Sequence, residues 1–215
     1  MYNMKIFMEK PKTLSVGGVR VPIDTDFRIM CEYAQAINSK DTDEITDIAQ
    51  RFFYAGLPEG VSGADMALAM NDFYVSGFVP DEEERERTRK KAEQEAELTD
   101  EQKALLGKRD SVPVFDFATD EAYFLGAFMA VYGIDLNTAK LHWLDFCALF
   151  RALPDECRLK QIIGIRATDT AKIKSREERE RIKRLKKIYS LSGNQKDVLG
   201  DALREMVLKK KQENQ

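Results

Sequence analysis

Residues 115–153 read FDFATDEAYFLGAFMAVYGIDLNTAKLHWLDFCALFRAL, and two helices can be read out of them. Thr119 is placed to cap the first, with Asp120 and Glu121 on its opening turn, where the helix dipole favours negative charge. Phe124, Ala127, Phe128, Val131 and Tyr132 then recur at helical spacing as one apolar stripe. Gly133 stands where a left-handed C-terminal residue is wanted, and Ile134-Asp135-Leu136 is a short connector. Asn137 or Thr138 starts the second helix, which Pro154 closes. It is apolar on two sides, with His142, Phe146, Leu149, Phe150 and Leu153 along one and Leu141, Leu144, Ala148 and Ala152 along the other. A helix apolar nearly all round is a buried one, so this pattern predicts an antiparallel pair whose second member is the centre of a core.

Upstream, Leu14, Val16, Val19, Val21 and Ile23 alternate around Gly17-Gly18, the pattern of a hairpin with a tight turn. Pro22 suits an edge strand, which leaves strand addition to a partner open. Three helices follow. Thr25 precedes Phe27, Met30, Cys31 and Ala34; a capping box at Asp41 and Glu44 precedes Ile45, Ile48, Ala49 and Phe52 and ends at Gly56; Ser62–Asp65 precedes Met66, Ala69, Met70 and Phe73, with Gly77 and Pro80 as the stop. Residues 81–101 are rich in Glu, outnumber their bases, and hold almost no apolar side chain before Leu98, so they read as a solvated helix or linker. Downstream, Arg158–Ile165 is a short helix, and Ser175 with Glu178 forms a capping box ahead of Ile182, Leu185, Ile188 and Tyr189. After Ser192-Gly193-Asn194, a last amphipathic helix carries Val198, Leu199, Ala202, Leu203, Met206 and Val207 on one face.

The expectation is therefore a mainly α protein, a helical bundle of about eight helices with a short N-terminal β-hairpin and a charged linker. Its parts are a hairpin with a three-helix sub-bundle over 1–79, the linker over 80–112, a helical sub-bundle over 113–192 and the C-terminal amphipathic helix over 193–215.

The 215 residues allow one domain or two small ones, and a charged share of 33% exceeds the usual quarter or so because of the two charged runs. A net charge of -3 gives no whole-protein pull toward nucleic acid. No apolar run is long enough to span a membrane, and the N-terminus is charged too early for a secretory signal. Cys31, Cys147 and Cys157 lack a metal or redox spacing and read as free thiols of a reducing cytoplasm. His142 is the only histidine, and Asp145 three residues on could orient it, but no nucleophile stands beside it in sequence. Asp116, Asp120, Asp135 and Asp145 sit at helix starts and ends, where capping accounts for them. No phosphate-cradling glycine loop is present, so neither an enzyme nor a cofactor nor a metal is expected. Residues 158–190 are strongly basic, with Lys183, Arg184, Lys186 and Lys187 as the densest patch; charge alone would suit phosphates, but only Tyr189 could stack on a base. Trp143, Phe146 and Phe150, with Val198, Leu199, Leu203 and Met206, are the candidate partner-binding residues. The methionine faces at Met30, Met66, Met70 and Met206 suit adaptable binding or gap filling.

Asp116-Phe117, Tyr132-Gly133-Ile134-Asp135-Leu136, Leu141-His142-Trp143 and Phe146-x-x-Leu149 also resemble the shared blocks of a family encoded in the tail modules of long-tailed bacteriophages, just before the tape-measure gene. The likeness extends over Arg166–Leu191 and more faintly over Leu14–Leu57. The resemblance implies a tail-assembly-chaperone-like protein of the host cytoplasm that binds the tape-measure protein or unassembled tail-tube subunits. It carries no catalytic residues. A homo-oligomer and retention in the finished tail stay open, and nucleic acid or membrane partners are not implied.

Overall fold

In the computed structural model, residues 10–39, 42–56, 61, 63–78, 90 and 114–191 are described. They contain seven α-helices, one two-stranded sheet and one 3₁₀ turn, the mainly helical fold with an N-terminal hairpin that the patterning predicts. They fall into two compact units, one drawn from Met1–Arg109 and Asp135–Ala152, the other from Asp110–Ile134 and Leu153–Gln215.

The first unit begins with β1 (Thr13–Val16) and β2 (Val19–Pro22), paired antiparallel with Leu14 opposite Val21 and Val16 opposite Val19. Gly17 and Gly18 have φ of 57° and 83°, the positive values that a two-residue hairpin turn asks of both its central positions. Val16 and Val21 are buried while Val19 is exposed. A lone hairpin is marginal in water, and here β1 packs against α3 (Gly63–Phe78). Helix α1 (Phe27–Ser39) is capped by Asp26 rather than Thr25, its carboxylate accepting from the Arg28 N–H at 3.0 Å. Phe27, Met30, Tyr33 and Ala34 turn inward, as do Ile48, Ala49 and Phe52 of α2 (Thr42–Phe52). The Asp41 of the expected capping box lies outside the described residues.

Residues 137–142, predicted as the opening turns of the second central helix, are not helical. Backbone acceptors in and just before this stretch are taken elsewhere: Arg28 donates to the carbonyls of Leu136 (2.7 Å) and Ala139 (2.9 Å), and the Phe27 N–H donates to Leu141 (3.1 Å). The Trp143 N–H in turn donates to the Thr25 carbonyl at 2.8 Å, so a short antiparallel bridge of Asp26 with His142 ties the two segments. The helix, α5 (Trp143–Arg151), starts only after that bridge and packs on α1 and α3. Gly77, read as a helix stop, stays inside α3 for a different reason. A Cβ there would sit 2.6 Å from Cys147 Sγ and 2.7 Å from Trp143 Cε2, so the approach of α5 requires glycine.

The second unit holds α4 (Glu121–Tyr132), α6 (Arg158–Ala167), a 3₁₀ turn (Thr170–Lys172) and α7 (Arg176–Ile188). Phe117, Phe124, Phe128, Leu153, Leu159, Ile162 and Ile182 form its core. Gly133 ends α4 at φ 67° and donates to the Met129 carbonyl, and the Ser175 side chain accepts from the Glu178 N–H, both as read from the sequence. Asp120, not Thr119, stands at the start of α4; Asp116 instead accepts from the Thr119 N–H at 2.7 Å. Val131, expected on the core stripe, is exposed, which narrows the buried face of α4 to Phe124, Ala127 and Phe128. Within the stretch 113–192, α4 lies in the second unit and α5 in the first. The expected linker 80–112, Lys90 apart, and the helix expected over 193–215 lie outside the described residues.

Candidate partner-binding surface

Of the aromatic residues offered as partner anchors, Trp143 is 0% exposed and Phe146 1%, and Phe150 is buried too. Trp143 stacks between Tyr74 and Phe146, with ring centroids 5.5 and 5.8 Å away, and Phe146 stacks on Phe27 at 4.6 Å. The indole Nε1–H donates to the Tyr74 carbonyl at 3.0 Å, the partner a buried tryptophan needs. These rings hold the first unit together and are closed to a partner. Val198, Leu199, Leu203 and Met206 lie outside the described residues.

His142 is a cap. Its Nδ1 accepts from the Leu144 N–H at 3.1 Å, which leaves the proton on Nε2, and Nε2 donates to the Pro11 carbonyl at 3.0 Å. Asp145 pairs with Lys10 instead of orienting the imidazole. Cys147, one turn along, is buried, and that burial pushes its thiol well up, away from thiolate chemistry. Among the described residues no group of three or more His, Cys, Asp or Glu is placed to hold a metal ion.

Asp120 departs furthest from the sequence reading. It is 0% exposed, and both its oxygens receive the Arg166 guanidinium, Nη1 to Oδ2 at 2.6 Å and Nη2 to Oδ1 at 2.9 Å. The Asp116 N–H adds a bond to Oδ2 at 3.1 Å. Arg166 also donates to the carbonyls of Val114 (3.2 Å) and Tyr189, and Lys186 donates to the Arg166 carbonyl at 2.8 Å. One buried cation thus joins the start of α4 and the ends of α6 and α7. A signal existed: Leu159, Ile162 and Arg166 share one stripe of α6, so its period already placed the guanidinium inward.

The basic patch on α7 is divided by the fold. Lys183 pairs with Glu180 at 2.9 Å, which holds the Glu180 carboxyl below its ordinary range. Lys186 is spent on the Arg166 carbonyl, while Arg184 and Lys187 are exposed and make no ion pair among the described residues. Two of the four therefore remain to face a partner.

The apolar surface that does stay open is on α4. After Glu121 the helix reads Ala-Tyr-Phe-Leu-Gly-Ala-Phe-Met-Ala-Val-Tyr, with no charge to its end. Its outer side presents Ala122, Gly126, Met129 and Ala130, all exposed, with Met129 at 50%. A Cβ added at Gly126 would meet nothing within 4 Å. Leu125 lies half-buried along the same strip. A helix of such composition is normally covered on every side. No helix among the described residues is long and apolar enough to cross a membrane.

The chain is a bacteriophage protein. It belongs to the family described as Bacteriophage Gp15 protein, which it matches over residues 9–191. No curated protein and no solved structure matches it.

Proposed function

We propose that the protein is a non-enzymatic phage tail assembly factor, a chaperone-like binder of the tape-measure protein or of unassembled tail subunits before the tail polymerises. The observation that carries this reading is the charge-free outer face of α4, exposed on a chain of the Gp15 phage family. A long apolar helix held in solution needs an apolar surface to lie on and charged flanks to keep the complex soluble. Met129 toward the C-terminal end of the face adds an adaptable side chain, and the paired charges of α7 supply a solvated flank. The tail-module blocks quoted from the sequence favour the same partner class.

Co-expression with the tape-measure protein of the same phage is the test. Soluble tape-measure protein should co-purify with the chain, a Met129→Asp variant should lose that capture while keeping its own helical content, and purified virions should lack the chain. Its presence in virions at stoichiometric amounts would instead make it a structural part of the tail.

A further inference from the structure

We draw no further inference here: the strongest candidate, the charge-free outer face of α4 around Gly126, belongs to the site already described, and nothing in the structure shows what covers it.

Discussion

Truncating Asp120 to alanine should be among the most damaging changes available to the second unit. The substitution leaves the Arg166 guanidinium, itself buried, with the Val114 and Tyr189 carbonyls but no counter-charge. Removing one member of a buried ion pair costs about 3–5 kcal/mol, because the survivor is neither solvated nor neutralised. Arg166→Met strands the carboxylate in the same way. Replacing both together, Asp120→Leu with Arg166→Met, removes the desolvation cost of two charges and should land within about 2 kcal/mol of the native protein. The single tryptophan, Trp143, lies in the first unit, so intrinsic fluorescence follows the wrong half of the molecule. Amide hydrogen exchange across Phe124–Tyr132 and Leu159–Arg166 is the assay to use. Each single variant should accelerate exchange there by about a hundredfold or more, and the double variant by far less, since 1.4 kcal/mol is a factor of ten. The reasoning fails if Asp120→Ala costs under about 1 kcal/mol, or if the two single effects simply add in the double variant.

Gly77→Ala should cost about 1–3 kcal/mol by driving a methyl group into Trp143 and Cys147, seen as a lower urea midpoint with blue-shifted or broadened tryptophan emission. Phe128→Ala and Phe146→Ala should each cost about 3–5 kcal/mol in urea melts, and Asp145→Asn, which only loosens a half-exposed pair with Lys10, under about 1 kcal/mol. His142→Ala should cost about 1 kcal/mol through the lost cap of α5, and His142→Asn clearly less, because asparagine caps well. Converting Lys183, Arg184, Lys186 and Lys187 to Gln should barely change retention on random duplex DNA at physiological salt; strong binding whose log affinity falls steeply with log salt, and flattens in that variant, would make the basic helix a phosphate site.

Local signals survived folding where they concern only near neighbours in the chain. The Gly17-Gly18 turn, the Gly133 terminus and the Ser175 cap depend on a few adjacent residues, and each could be read directly. The failures share one cause, a partner distant in sequence. Residues 137–142 have the composition of a helix start, yet Arg28 and Phe27, more than a hundred positions earlier, claim the carbonyls of Leu136, Ala139 and Leu141. Gly77 looks like a stop because glycine usually is one, and only the neighbouring indole reveals the steric reason for it. Asp120 looks like a cap because an acid belongs at that position; the cation that buries it is forty-six residues away. The aromatic anchors read equally well as core or interface from periodicity, and burial decides for core. The open face of α4 was hidden by the opposite ambiguity, since a helix apolar on all sides gives no clue to which side is left uncovered.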